Sequence, residues 1–311
     1  MVFMGTPALA AHILERLVTA SGATFRVVGV VTRPDQPRGR GLGMLPSEVG
    51  AVAAKHRIPT LKPTRIRTPE FLNELKAFAP DLLVVAAYGR ILPSSILAVP
   101  RIAPINVHAS LLPRHRGASP VEGAILAGDS ETGVTIMRIV EQMDAGPMYL
   151  QRRIPIEPSD TQGTLKDKLA KLGADAMLEA IELASRGAMV ETPQNDALAT
   201  HTKPVEKKDA VIDWNASAVQ IERMTRAYDP WPVARTRLGT DEILIWRAAV
   251  EDAHATGDAP GAILSLKPSP IVQCGSGRLR LNEVQASGRK RMPAADFLRG
   301  KRIEVGARLG A

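Results

Sequence analysis

Asn106 and His108 stand two apart in the run Pro104-Ile105-Asn106-Val107-His108-Ala109-Ser110. Apolar residues alternate with them at the period of a strand, and Pro113, Gly117 and Pro120 close a loop behind it. Side chains two apart on a strand share a face. An amide and an imidazole therefore look into one cleft, at a strand end where open α/β sheets place ligands. Imidazole exchanges a proton near neutral pH, and an amide N–H stabilises an oxygen that gains charge. Asp144 follows in the turn Glu141–Pro147, just after another strand. A carboxylate bonded to an imidazole fixes its tautomer and favours its protonated form. Such a trio can polarise a carbonyl and move a proton.

Each residue also has a structural reading. A lone histidine at a strand end packs, an aspartate caps its turn, and an asparagine satisfies backbone groups. Only the set, with Leu111-Leu112-Pro113 and Arg114-His115-Arg116-Gly117 beside it, favours chemistry. Ser110 is close, but Ala109 and Leu111 do not make a nucleophile elbow, so direct transfer between two bound substrates is simpler than a covalent enzyme intermediate. The six histidines are scattered without ligand spacing, so no metal is expected.

The elements that must hold this trio read as strand and helix in alternation. Val2–Met4, Val27–Val31 and Leu82–Ala86 are short apolar runs, as in a sheet covered on both faces. The first looks clipped, so the natural chain is expected to begin a few residues earlier. Helices are expected after Gly5-Thr6-Pro7, over Pro46–His56, after Thr68-Pro69-Glu70 with Thr68 as N-cap, over Pro120–Leu126, and from Thr164 to near Gly187. A strand is expected near Val134–Ile139. The alternation predicts a doubly wound, mostly parallel sheet. Ala87-Tyr88-Gly89-Arg90-Ile91-Leu92-Pro93 leaves that sheet at the same edge as the Asn106 strand. Residues 188–208 lack periodic hydrophobicity and read as a linker. One helix near Ala216–Ala227 and short β-like runs at 234–238, 242–246, 262–266, 271–274 and 279–284 then follow at barrel or sandwich spacing.

Composition narrows the partners. The chain has 311 residues, enough for about two domains, and a single cysteine, Cys274, which excludes an intrachain disulfide and fits a reducing compartment. No cationic leader followed by an apolar run opens it, and no apolar run approaches the ~20 residues that span a bilayer. Net charge is +8. Residues 33–67 hold eight Lys/Arg against two Asp/Glu, and residues 278–311 hold nine against three. Such balances suit either an anionic partner such as nucleic acid or a solvated surface kept soluble by charge. The loop Arg33–Gly43 contains three arginines, three glycines and two prolines; it lacks a phosphate-cradle spacing and reads as a basic arm or a plain surface loop.

Asn106-Val107-His108-Ala109-Ser110-Leu111-Leu112-Pro113-Arg114-x-Arg116-Gly117 followed by Asp144 resembles the formyltransferase family that uses 10-formyltetrahydrofolate. Gly5-Thr6-Pro7, Pro34-Asp35 with Gly39-Arg40-Gly41, Ala87-Tyr88-Gly89-x-Ile91-Leu92-Pro93, Glu131–Met137, Ile212-Asp213-Trp214 and Asp229-Pro230-Trp231-Pro232 extend the resemblance over nearly the whole chain. It implies a Rossmann-like catalytic domain over residues 1–189, a linker over 190–208 and a C-terminal β-barrel of the oligonucleotide-binding type over 209–311. It implies that Asn106 and His108 hold the formyl oxygen and stabilise the tetrahedral intermediate while Asp144 assists His108. Tyr88, Gly89, Ile91, Leu92, Ser110, Leu111, Leu112, Pro113 and Gly117 would line the folate site. The acceptor would be the α-amino nitrogen of methionine esterified to initiator tRNA, with Arg38 and Arg40 near its acceptor end and the C-terminal domain on the tRNA body. The co-substrate would be 10-formyltetrahydrofolate, with no metal and no membrane, in a cytoplasmic monomer. Ala109 stands where the family often has Gly, His115 where it often has Trp, Ser119 where Ala is common, and Leu42 and Gly43 where it often has lysine. Two other readings remain: a formyltransferase of the same fold acting on a small amine, and a nucleic-acid-binding protein without catalysis.

Overall fold

The computed structural model describes residues 1–38 and 43–310. In chain order its first elements are β1 (Val2–Gly5), α1 (Ala8–Thr19), β2 (Gly29–Val31), β3 (Gln36–Arg38), β4 (Gly43–Leu45), α2 (Glu48–Lys55), β5 (Thr60–Leu61), α3 (Pro69–Ala77), β6 (Leu82–Ala86), α4 (Ser94–Leu97), β7 (Ala103–His108) and β8 (Arg116–Gly117). Then come α5 (Pro120–Ala127), β9 (Glu131–Arg138), β10 (Met148–Pro155), α6 (Gln162–Ser185), β11 (His201–Thr202), α7 (Ala218–Ala227), β12 (Arg235–Leu238), β13 (Asp241–Asp252), β14 (Ile263–Ser265), β15 (Ile271–Gln273), β16 (Arg278–Ala286), β17 (Met292–Pro293) and α8 (Ala294–Gly300). Backbone proximity divides the chain into two units. One comprises residues 1–120, 131–155 and 166–203; the other comprises 121–130, 156–165 and 204–311.

The first unit is built on a seven-stranded sheet in the order β10-β9-β7-β6-β1-β2-β5. The five strands from β5 to β7 run parallel, while β9 and β10 are antiparallel to their neighbours. The chain winds from β1 outward through β2 and β5, then restarts at β6 and winds the other way. That reversal puts a crevice outside the carboxyl ends of β1 and β6, the usual ligand position in such sheets. All residues of β1 and β6 are buried, which explains why they read as continuous apolar runs. One face is filled by Val2, Met4, Leu83 and Val85 against Phe71, Leu75 and Ile96.

Side-chain caps mark the starts of α2, α3 and α7. The Thr68 hydroxyl accepts from the Phe71 amide at 3.3 Å, with Pro69 opening α3 as expected. Ser47 caps Gly50 N at 2.9 Å, so α2 begins at Glu48 and Pro46 lies outside it. Strand β10 was not legible as a strand. It is a half-exposed edge carrying Gln151, Arg152 and Arg153, and charge on an edge strand masks its alternation while discouraging edge-to-edge pairing.

The second unit carries a curled antiparallel sheet, a half-barrel in the order β12-β13-β16-β15-β14 with β17 on β16. Ile243, Ile245, Val272, Leu279, Leu281 and Val284 fill it together with Ile221 of α7 and Phe297 of α8. Trp214 closes the core, and its indole N–H donates to the Thr236 hydroxyl at 2.9 Å. The short β-like runs predicted over 234–284 overlap β12 to β16, the longest of which is β13, bent by shifts in register against β16. Among the described residues no helix is long and apolar enough to cross a membrane, and no cluster of His, Cys, Asp or Glu is placed to hold a metal ion.

Helix α6 touches β7 where Gly173 sits. A Cβ there would approach the Val107 Cγ1 to 2.9 Å. Val107 points away from the face shared by Asn106 and His108, so this contact supports the strand from behind. Gly173→Leu is expected to destabilise the protein by about 1–3 kcal/mol through overpacking, read as a lowered denaturation midpoint.

Candidate active site

Strand β7 sits between β6 and β9, with Asn106 opposite Val85 and Met137, and His108 opposite Thr135. Its register brings His108 to the carboxyl end of the sheet, where the loops after β1, β6 and β7 emerge side by side. Asn106 is half-exposed and His108 is buried. The loops after β1 and β6 are joined by the Thr6 hydroxyl, which lies 3.5 Å from the Tyr88 carbonyl.

His108 Nε2 lies 2.9 Å from the main-chain oxygen of His115. A carbonyl oxygen only accepts, so Nε2 must carry the hydrogen. Nδ1 is then the nitrogen that gains or loses a proton, and it faces Asp144 Oδ2 at 3.6 Å. This differs from the reading in which the carboxylate sets the tautomer. Here a backbone oxygen sets it, and Asp144 stands at ion-pair rather than hydrogen-bond distance. The His115 residue that supplies this oxygen has φ +58°, a left-handed conformation in which histidine is over-represented among non-glycine residues.

Asp144 lies on the same side of the sheet as His108. It too is left-handed, with φ +51°, and its Oδ2 accepts from the Gly117 amide at 2.8 Å. Gly117 has φ +112°, and a Cβ there would fall 2.2 Å from the Thr202 carbonyl, so glycine is required. The loop between His108 and Gly117 is held from inside. The Ser110 hydroxyl donates to Arg114 O at 2.6 Å. The Thr135 hydroxyl donates to Ser110 O at 2.7 Å and accepts from Leu112 N at 3.1 Å and Gln151 Nε2 at 3.0 Å. One donor and two acceptor positions are all that a hydroxyl has, so Thr135 is fully used. Gln151 also donates to Leu112 O at 2.8 Å.

The residues expected to meet folate fall on two loops of this edge. Ser110 and Leu112 are buried, whereas Leu111, Pro113 and Gly117 are half-buried. On the other loop Gly89 has φ +78° with open space where a side chain would be, Ile91 is 61% exposed, and Leu92 is buried. The Tyr88 hydroxyl is buried without a hydrogen-bond partner among the described residues, and burial holds it above the usual phenol range while the Arg90 charge pulls the other way. Arg40 lies outside the described residues, and of Arg38 only the backbone, in β3, is described. Thr135, Gln151 and Gln194 were not singled out from sequence; only the strand pairing that sets Thr135 opposite His108 could have flagged the first.

An imidazole nitrogen, a carboxylate beside it and a half-exposed amide on one sheet edge suit transfer of an acyl-like group between two bound molecules. Family comparison narrows this class. The family model described as Formyl transferase matches residues 1–181, and that described as Formyl transferase, C-terminal domain, matches residues 204–302. The chain belongs to the formyltransferase family. It is similar to the methionyl-tRNA formyltransferase of Roseiflexus sp. (strain RS-1), 46% identical over 310 residues that cover 100% of this chain and 95% of the relative. It is also similar to that of Geobacter sulfurreducens, 42% identical over 100% of this chain and 96% of the relative. Among solved structures, the N-formyltransferase of Helicobacter canadensis, in complex with folinic acid and dTDP-3-aminofucose, shares the fold with TM-score 0.68 at 17% identity, over 92% of this chain and 98% of that one.

Thr135→Val keeps the shape and removes the hydroxyl. It leaves the Ser110 carbonyl and the Leu112 amide without that partner, and it is expected to cost about 1–3 kcal/mol in a thermal melt. Thr135→Ser, which keeps the hydroxyl, is expected to retain most of the stability.

Proposed function

We infer that the protein transfers the formyl group of 10-formyltetrahydrofolate to the α-amino nitrogen of methionine esterified to initiator tRNA, for translation initiation. The observation that carries this is the match along the entire chain to methionyl-tRNA formyltransferases, through the curled C-terminal sheet as well as the catalytic unit. Fold alone does not carry it, since the N-formyltransferase of Helicobacter canadensis shares the fold over 92% of this chain.

In this reading the amide of Asn106 donates to the formyl oxygen as it gains charge. The attacking amine must be neutral, which an amine with a pKa of about 8 or below allows. As its nitrogen bonds to the formyl carbon, the excess proton passes to Nδ1 of His108. Asp144 Oδ2, 3.6 Å from that nitrogen, stabilises the imidazolium. The same proton then goes to the departing folate nitrogen when the original carbon–nitrogen bond breaks. Nε2 stays bonded to the His115 carbonyl throughout. The exposed Ile91, the open backbone at Gly89 and the apolar Leu111 and Pro113 would meet the folate ring system. Residues 1–189 would form the catalytic domain, 190–208 the link and 209–311 the tRNA-holding domain, with Arg38 and Arg40 on the acceptor end. The protein would act in the cytoplasm as a monomer.

Asn106→Ala, His108→Ala and Asp144→Ala are each expected to lower kcat by about 10²–10⁴-fold. The assay is acid-stable transfer of labelled formyl to charged initiator tRNA, with charged elongator tRNA as the comparison. Wild-type rates in all three variants would sink the site assignment. Raising salt is expected to increase KM for the tRNA steeply and KM for the folate little, because phosphate contacts release counterions.

A further inference from the structure

The segment after α6 is exposed along residues 190–198 except at Gln194, which turns inward. It is fastened over its length. Glu191 accepts from Arg138 at 2.6 Å and from the Tyr149 hydroxyl at 3.0 Å. Thr192 exchanges two backbone hydrogen bonds with Met148, both 2.8 Å. Thr200 takes the amides of His115 and Arg116, the first on its hydroxyl and the second on its carbonyl, both at 2.8 Å. Thr202 accepts from Ser119 N at 3.1 Å and donates to Arg116 O at 3.2 Å. A chain that needed only to connect would not require these bonds.

Gln194 holds the centre. Its Nε2 donates to the carbonyls of Asp144, at 2.8 Å, and Gly146, at 2.7 Å. Its Oε1 accepts from Nε and Nη2 of Arg116, at 3.0 and 2.8 Å. The orientation of the amide follows from chemistry: a guanidinium only donates and a carbonyl only accepts. Arg116 is 2% exposed, and its Nη2 also reaches Asp196 at 2.6 Å. The next residue, Gly117, donates its amide to the Asp144 carboxylate at 2.8 Å. Arg116, Gln194, the Asp144 backbone, the Asp144 carboxylate and Gly117 thus close a ring. One arm fixes where the Asp144 main chain runs, in a left-handed conformation it would not keep unaided; the other fixes where its carboxylate points.

We propose that Gln194 is a positioning residue for catalysis, acting through the main chain of Asp144 to hold its carboxylate beside Nδ1 of His108. The proposal rests on the reading of Asp144 as part of the site. Loss of Gln194 leaves both substrates their binding surfaces but frees the turn that carries the carboxylate, so the effect falls on turnover rather than on binding.

The test uses the full-length protein with Gln194→Ala and with Gln194→Met, which keeps the length and loses the polar groups, each alone and combined with Asp144→Asn. Melting curves select the variant that folds as the wild type does, and either suffices. The expected result is a fall in kcat of about 10–100-fold with each KM within about threefold, and a fall of under about threefold in the Asp144→Asn background. A residue of merely structural importance would lower kcat equally in both backgrounds, and that result overturns the proposal. Wild-type kcat in the Gln194 variants beside a crippled Asp144→Asn overturns the proposal alone. Wild-type kcat in Asp144→Asn overturns the reading of the site and the proposal with it.

Discussion

One hydrogen bond determines which end of His108 can do chemistry. With Nε2 tied to the His115 carbonyl, only Nδ1 is left to exchange a proton, and only a carboxylate approaching from that side can stabilise the result. Moving the His115 oxygen would free the ring to take the other tautomer, and the carboxylate would face an N–H in the neutral state. Much of the surrounding structure keeps that oxygen in place. The loop that carries it is tied at Ser110, Leu112 and Arg114 from within and at His115 and Arg116 from residue Thr200.

Ser110, Leu112 and His115 of that loop are buried, and a buried main-chain polar group needs a partner. Regular structure supplies none in the stretch from Ala109 to His115. A backbone turn from Arg114 N to Leu111 O and the Thr200 amide on Pro113 O serve part of it, and side chains serve the buried residues: Thr135 from β9 and Gln151 from β10 reach across to Ser110 and Leu112. This gives the two antiparallel strands at the edge of the sheet a purpose beyond extending it. A purely parallel sheet ending at β7 would leave the loop open to water on that side, and water would compete for the very hydrogen bonds that orient the imidazole.

The parts of this arrangement that lie within a few residues of one another were legible in the sequence. The period-two pattern around Asn106 and His108 gave their common face, and the apolar runs at Val2–Met4 and Leu82–Ala86 gave the covered sheet. Thr68-Pro69 marked a helix start because its capping is local. What escaped notice depends on residues far apart. Gln151 and Gln194 are ordinary polar residues in segments without period, and nothing about a glutamine in sequence shows that it will lie against the turn of a residue 50 positions away. The left-handed turns at His115 and Asp144 escaped notice for a related reason, since neither residue type demands that conformation as glycine would. The sequence alone also pointed to the wrong partner for tautomer control, because a carboxylate is visible in a sequence and the direction of a carbonyl is not.

The distribution of the site among distant segments bears on how firmly a motif can be trusted. Asn106 and His108 need only a strand to share a face, so that spacing will occur wherever a strand ends in polar residues. The carboxylate is different, since its position requires β9 to end at Arg138, the turn to pass through a left-handed Asp144, and the Gly117 amide to meet it. Those conditions join two segments of the chain, the turn that follows β9 and the loop that follows β7. The distance of 3.6 Å between Asp144 and His108 therefore rests on contacts between segments distant in sequence, and it separates this edge from any strand that merely carries an asparagine and a histidine two apart. A local match reports the reactive groups, while the long-range bonds decide whether they can work together.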